Sequence, residues 1–131
     1  MAESAMHASP YSGTWYPGSP EALSALLEDL WRSSESRTGS YLTPGARAFV
    51  APHAGLVYSG TVAAAVYRHL EAAQPERVLV AGFSHRGGLP GIQIPEVDAY
   101  STPLGTVRVD IPLARKLVRS APFGKAAEAD L

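Results

Sequence analysis

The sequence of 131 residues lacks cysteine, carries little net charge and has no long apolar run. Without cysteine the chain can form no disulfide, zinc ribbon or iron–sulfur site, and no thiolate can act as its nucleophile. Eleven Lys and Arg residues nearly balance twelve Asp and Glu residues, so the basic surface typical of nucleic-acid binders is missing. No segment approaches the roughly 20 apolar residues of a membrane span or the pattern of a signal peptide, which favours a cytoplasmic protein with no membrane partner.

The residues that are present are typical of one globular domain, with 46% hydrophobic and 18% charged side chains. A chain of this length can bury a single core but leaves little room for a second one. Residues 1–11 show no periodicity and are predicted to be a disordered tail. Residues 12–131 are predicted to form the domain.

Three segments carry helical signals. Ser19, followed by a proline, suits an N-cap, and apolar residues at i, i+3, i+4, i+7 and i+8 from Leu23 predict an amphipathic helix. The polar residues 33–44 after it are predicted to be a surface loop. Residues 61–70 are Ala-rich and predict a second helix. Residues 110–120 begin with an N-cap and an early proline, which predicts a third.

Two short apolar runs, residues 46–51 and 77–81, flank the second predicted helix and read as buried strands. Strand, helix and strand make a βαβ unit, in which the parallel strands end at the same edge of the sheet. Further strands are predicted at residues 92–94 and 107–109. The predicted fold class is therefore α/β, with an open, mostly parallel sheet and flanking helices.

A histidine follows each strand of the predicted βαβ unit. His53 and His85 lie a few residues beyond the strand ends, where neighbouring backbones are about 5 Å apart, so the two imidazoles could share one cation. Imidazole suits iron, copper, zinc or nickel more than magnesium or calcium, and we expect iron or copper ahead of zinc. The alternative is that each histidine only forms a hydrogen bond within its own loop. No carboxylate has a spacing that identifies it as a third ligand.

Ser84 invites a different interpretation. Residues 82–86 follow a predicted strand and are similar to a nucleophile elbow, but Arg86 occupies a position where the sharp turn needs a small residue. The glycine-rich residues 87–91 match neither the phosphate-binding loop nor the dinucleotide fingerprint, and they are predicted to be a flexible loop. Neither segment therefore favours serine hydrolysis or nucleotide binding.

Four ordered blocks between residues 12 and 110 form a recognisable pattern. Residues 12–17 (Ser-Gly-Thr-Trp-Tyr-Pro) are similar to an opening Gly-x-Trp/Phe-Tyr-Pro motif. Residues 51–60 (Ala-Pro-His-Ala-Gly-Leu-Val-Tyr-Ser-Gly) form the most distinctive block, and residues 82–85 (Gly-Phe-Ser-His) are similar to Gly-Pro-Ser-His. Residues 100–105 (Tyr-Ser-Thr-Pro-Leu-Gly) match the segment that follows. Together the blocks resemble the Memo family, whose bacterial and archaeal members are named AmmeMemoRadiSam system protein B.

The resemblance implies an α/β fold related to the class III extradiol dioxygenases, which open catechol rings with a non-haem iron held by two histidines and a carboxylate. It implies that His53 and His85 are metal ligands, that Tyr58 and Ser84 line the pocket, and that a later cysteine completes the Memo site. Two functions stay open. One is metal-dependent redox chemistry on a small molecule; the other is a metal-free module that binds a peptide or a protein in the same cleft.

The sequence departs from the family pattern near the second histidine and in its length. Phe83 replaces a proline, and Arg86 stands where a second histidine is usual, so a permanent positive charge lies beside the predicted metal. Family chains are about twice as long as this one. We therefore expect this chain to be truncated and to form the N-terminal half of a larger domain. We also expect that it cannot complete the metal site alone, and whether it is an enzyme stays open. Apolar surface left uncovered would favour self-association.

Overall fold

The fold combines helices with short strands, which confirms the predicted α/β class. The computed structural model describes residues 5–38, 45–83, 85, 91–120 and 123–126. In chain order the elements are β1 (Met6–Ala8), α1 (Pro20–Thr38), α2 (Leu56–Ala73), β2 (Ile92–Pro95), β3 (Ala99–Thr102), β4 (Gly105–Arg108), α3 (Ile111–Val118) and β5 (Phe123–Ala126). None of the helices in these ranges combines the length and the apolar character needed to cross a membrane.

The chain divides into two compact units. The helical unit, residues 11–82, contains α1 and α2, and the sheet unit, residues 1–10 and 83–131, contains α3 and the five described strands. The strand pairs β1–β3 and β2–β5 are parallel, and the pair β3–β4 is antiparallel. The mostly parallel character expected from the sequence is therefore present, but in sheets of three and two strands.

Helix α1 begins where the sequence predicts. The backbone N–H of Ala22 donates to Ser19 Oγ at 3.2 Å, so Ser19 satisfies one of the amide groups that the first turn leaves without a helical partner. Pro20 occupies the first helical position, where its missing N–H is not needed. Glu21 adds a carboxylate near the positive end of the helix dipole.

The C-terminal part of α1 corrects the predicted loop, because residues 33–38 are helical. Arg68 of α2 stabilises this part by donating from Nε to Ser34 Oγ at 2.9 Å and from Nη2 to the Trp31 carbonyl at 2.6 Å. Its guanidinium also lies 4.7 Å from the centre of the Trp31 ring. Ser34 is fully buried and donates to the same Trp31 carbonyl at 2.7 Å. A contact across 34 residues thus overrides the weak helix propensity of this serine-rich segment.

The two helices pack closely at a glycine. A β-carbon placed on Gly60 of α2 would lie 2.5 Å from Leu30 Cδ1 of α1, so this position admits no larger residue without a shift of Leu30. Leu23 of α1 and two small residues of α2, Ala63 and Ala64, are buried in the same unit. Small side chains on α2 and leucines on α1 therefore form the core of the helical unit.

The two strands of the predicted βαβ unit are absent, whereas its helix is present. Residues 46–51 and 77–81 form no strand, and Val50 and Val80 are 97% and 82% exposed. A strand needs a neighbour that exchanges backbone hydrogen bonds with it, and within the described residues neither run pairs with one. Their β-branched composition alone therefore did not decide their structure.

The sheet unit includes part of the expected tail. Residues Met6–Ala8 form β1, which pairs with β3 in the register Met6 with Ala99 through Ala8 with Ser101. Just before β1, the N–H of Ala5 donates to the Asp98 carboxylate at 2.9 Å, and the Asp98 N–H donates back to the Ala5 carbonyl at 2.7 Å. Long-range pairing thus gives structure to a segment that has no periodicity of its own.

The remaining elements of the sheet unit lie close to their predicted places. Helix α3 covers most of residues 110–120, and the Leu113 N–H donates to Asp110 Oδ1 at 3.0 Å as the N-cap prediction requires. Strands β2 and β4 overlap the predicted strands at 92–94 and 107–109. The sequence analysis did not predict β5, which pairs in parallel with β2.

Candidate functional site

His53 lies in the loop that leads into helix α2, and its side chain is exposed. Hydrogen bonds attach the loop to the first turn of the helix. Ser59 Oγ donates to the Ala54 carbonyl at 3.0 Å, and the Tyr58 N–H donates to the Gly55 carbonyl at 2.9 Å. Hydrogen bonds therefore hold the backbone beside His53 to the helix, and His53 itself is exposed.

Tyr58 belongs to the helical unit with His53 and stands in the first turn of α2. Helix α2 starts at Leu56, five positions before the predicted start, so Tyr58 lies on the helix and not in the loop ahead of it. Its side chain is 88% exposed, and Val57 beside it is 76% exposed. A phenol at this place can offer a hydrogen bond and an apolar ring to a bound molecule, and its role in a pocket stays a prediction.

His85 belongs to the sheet unit and is also exposed. Its ring meets the edge of the Phe83 ring, with centroids 5.5 Å apart and planes at 82°. Phe83, the residue that departs from the family pattern, thus supports the orientation of the histidine through an aromatic contact. Ser84 and Arg86, on either side of His85, lie outside the described residues.

The joint use of His53 and His85 stays a prediction. The inference that brought them together rested on two parallel strands, and those strands are not formed. Within the part of the chain that the structure describes, no three side chains of His, Asp or Glu are grouped so that they could hold a metal ion. Two imidazoles would suit a transition metal in kind.

The other two histidines are engaged in packing. The ring of His7 on β1 meets Tyr100 on β3, with centroids 5.6 Å apart and planes at 75°. Burial raises the pKa of the Tyr100 phenol above its ordinary value of 10.0. His69 of α2 lies 6.3 Å from the Phe49 ring, and its Nε2 is buried with no hydrogen-bond partner among the described residues. His69 is thus half-buried, in agreement with its predicted place on the helix.

Comparisons with known proteins agree with the sequence blocks. A family model described as Memo-like protein matches residues 7–130. The chain is 34% identical over 113 residues to Protein MEMO1 of Homo sapiens, an alignment that covers 86% of this chain and 36% of the human protein. It is 37% identical over 116 residues to a MEMO1 family protein of Methanopyrus kandleri, with 82% of this chain and 40% of that protein covered.

A third relative, Protein MEMO1 of Xenopus tropicalis, is 38% identical over 100 residues, which cover 76% of this chain and 32% of that protein. The aligned part of the chain thus covers between 32% and 40% of the length of these relatives. The matched region contains His53, His85 and Tyr58, with all of the helical unit and most of the sheet unit. On this evidence the chain belongs to the Memo family.

Proposed function

We propose that this chain supplies His53 and His85 as two ligands of a transition-metal site, and that the site serves redox chemistry on a small molecule, related to that of the non-haem iron extradiol dioxygenases. The observation that carries the proposal is the exposed imidazole of His53 on a loop that Ser59 and Gly55 fix to helix α2. A fixed backbone reduces the conformational entropy that ligand binding would otherwise have to overcome.

The kind of metal follows from the donor atoms. Imidazole nitrogen is a common ligand of iron and copper, which also carry out one-electron chemistry, whereas magnesium and calcium prefer oxygen. A bound metal of this kind would polarise a substrate oxygen or exchange electrons with it. Because two imidazoles are fewer than the three protein ligands of a typical catalytic site, at least one further ligand is required.

The residues of this chain would then position the substrate. Tyr58, in the first turn of the helix that follows His53, can donate a hydrogen bond from its phenol to a substrate oxygen. Ser84, beside His85, can do the same through its hydroxyl. Ser59 acts indirectly, because its bond to the Ala54 carbonyl holds the loop that carries His53.

Metal titration of the full 131-residue chain tests this proposal. Cobalt(II) is added under anaerobic conditions, and its visible absorption and bound fraction are measured for the parent chain, His53→Ala, His85→Ala and the double variant. If both histidines hold one ion, each single variant lowers the affinity by about tenfold or more, and the double variant adds little.

His7→Ala is the matched control, since it removes an imidazole that packs against Tyr100, and its cobalt affinity should stay within about twofold of the parent's. Unchanged binding in both His53→Ala and His85→Ala would contradict the proposal. A loss of half the bound cobalt in each single variant would contradict it too, because that result indicates two separate ions.

A second candidate function is a metal-free module that binds a peptide or a protein, and the exposed surface of α2 favours it. Tyr58 and Val62, one turn apart on the helix, are 88% and 48% exposed. Exposed aromatic and aliphatic side chains on a helix face are typical anchors for a partner. Peptides selected on the chain in the presence of a chelator would bind His53→Ala as well as the parent and lose affinity for Tyr58→Ser. Dependence of that binding on added metal would argue against this function.

A further inference from the structure

The sheet unit contains a cavity that the metal proposal does not use. It has a volume of about 600 Å³ and lies between α3 and the segment that runs from the end of β2 to Asp98. Small-molecule sites typically enclose about 300 to 1,000 Å³, so a cavity of this size can hold a small organic molecule. All of its lining belongs to the sheet unit, so it can be considered without reference to the histidine loop of the helical unit.

The least exposed residues of the lining are all apolar, and we call them the floor of the cavity. Val97 is buried, and Ile94, Ile111 and Val118 are half-buried beside it. These side chains come from both walls, since Ile94 belongs to β2 and the last two belong to α3. An apolar floor favours a ligand whose body is hydrocarbon.

Arg115 of α3 and Arg119, the C-cap residue that follows this helix, line the same cavity. Arg115 and Arg119 are four positions apart, which places them on one side of the helix, one turn from each other. Neither guanidinium forms a hydrogen bond or an ion pair within the described part of the chain. Two neighbouring positive charges without a negative partner repel each other, so an anion between them would be favourable to both.

The carboxylate of Asp98 in the lining does not serve as that anion. It accepts the N–H of Ala5 at 2.9 Å, and the backbone of Asp98 is tied to Ala5 and Val109 by two further hydrogen bonds. The hydrogen bonds of Asp98 therefore connect the chain just before β1 to the sheet. Glu96, the other carboxylate of the lining, is exposed and is already engaged in another interaction.

We propose that this cavity binds a small amphipathic anion, with its carboxylate or phosphate held between Arg115 and Arg119 and its hydrocarbon part against the apolar floor. The guanidinium groups match the planar geometry of a carboxylate and can also hold a phosphate, so the charge and the apolar body are both recognised. The fit depends on this combination, because either part alone would leave the floor or the arginines without a partner.

Titration with matched probes tests the proposal on the full chain. Octanoate and octyl phosphate carry both features, octan-1-ol lacks the charge, and inorganic phosphate lacks the hydrocarbon. Affinity is measured by chemical-shift changes of the backbone amides of α3 and β2. The two octyl anions should bind, and the two control probes should bind at least about tenfold more weakly. The stronger of the two anions identifies the head group.

Three variants make the test specific. Arg115→Gln and Arg119→Gln should each lower octanoate affinity about tenfold or more, because each removes a charge-assisted hydrogen bond. Lys116→Gln removes the same charge from the same helix without altering the cavity lining, and it should change the affinity less than about twofold. Circular dichroism of each variant checks that the helices are intact.

Several results would overturn the proposal. Equal binding of octan-1-ol and octanoate would show an apolar pocket without anion recognition. An equal loss in Lys116→Gln and Arg115→Gln would show a general charge effect. Absence of any shift at millimolar octanoate, with the chain folded, would show that the cavity does not take this class of ligand.

Discussion

Replacing Arg68 with methionine should destabilise the helical unit and unwind the end of α1. In the parent, the guanidinium donates to Ser34 Oγ at 2.9 Å and to the Trp31 carbonyl at 2.6 Å, and lies 4.7 Å from the Trp31 ring centre. Each hydrogen bond from a charged donor contributes about 1.5 to 3 kcal/mol, and the ring contact about 0.5 to 1 kcal/mol. Its ion pair with Glu35 adds little, because the Glu35 side chain is 69% exposed.

Methionine keeps the apolar packing of the arginine stem, and Arg68 is 21% exposed, so part of the lost interaction is recovered from water. We therefore expect Arg68→Met to lower the free energy of unfolding by about 2 to 4 kcal/mol, a large share of the roughly 5 to 15 kcal/mol of a typical domain. Urea unfolding followed by circular dichroism measures this loss. Hydrogen exchange of the amides in residues 33–38 should accelerate more than exchange at the start of α1, because Arg68 contacts only the C-terminal part.

Two control variants separate the guanidinium from its charge. Arg68→Lys keeps the charge but cannot reach both acceptors from one ammonium, so its loss should be intermediate. Glu35→Gln should change stability by less than about 0.5 kcal/mol. A loss below about 1 kcal/mol in Arg68→Met, or unchanged exchange of residues 33–38, would refute the reasoning that a contact from α2 extends α1.

Three further changes are predicted from the structure. Gly60→Ala should lower the free energy of unfolding by about 1 to 2 kcal/mol, because crowding against Leu30 outweighs the roughly 1 kcal/mol gained in helix propensity. A double-mutant cycle with Leu30→Ala should show that the smaller side chain at position 30 relieves this crowding. Asp110→Ala should cost about 1 kcal/mol in urea unfolding through loss of the α3 N-cap, whereas an unchanged midpoint would contradict that role. Because folding raises the pKa of the Tyr100 phenol, the free energy of unfolding should fall as the pH rises from 10.0 toward the pKa of the folded state. Tyr100→Phe should make this fall less steep. Tyr58→Phe, at an exposed tyrosine, is the control and should leave it unchanged.

Local signals in the sequence were sufficient to place the starts of α1 and α3. Ser19 and Asp110 each form the N-cap hydrogen bond that their position predicts, because an N-cap acts within three residues of itself. The end of α1 and the strand β1 were missed because they depend on partners far along the chain, namely Arg68 and β3. Residues 46–51 show the reverse case, because this apolar run was predicted to be a strand but pairs with no strand among the described residues.

The sequence suggested the residues of the candidate site, and their role there stays a prediction. The motif of residues 51–60 identified His53 and Tyr58, and the structure adds that the loop is fixed through Ser59. The binding of one metal ion by both His53 and His85 stays a prediction. The cavity beside α3 was not predicted, although Arg115 and Arg119 at helical spacing were visible in the sequence, because nothing in the sequence shows that a cavity lies beside them.

The pairing of β1 with β3 has a consequence for the order of events during synthesis. Ala5 and Asp98 are 93 positions apart, so the first strand leaves the ribosome long before its partner exists, and closing a loop of that length opposes the pairing by about 4 kcal/mol. The contacts between α1 and α2, by contrast, are complete once residue 73 has been added. Translation should therefore yield a helical hairpin first, with the initial residues waiting unpaired until β3 emerges.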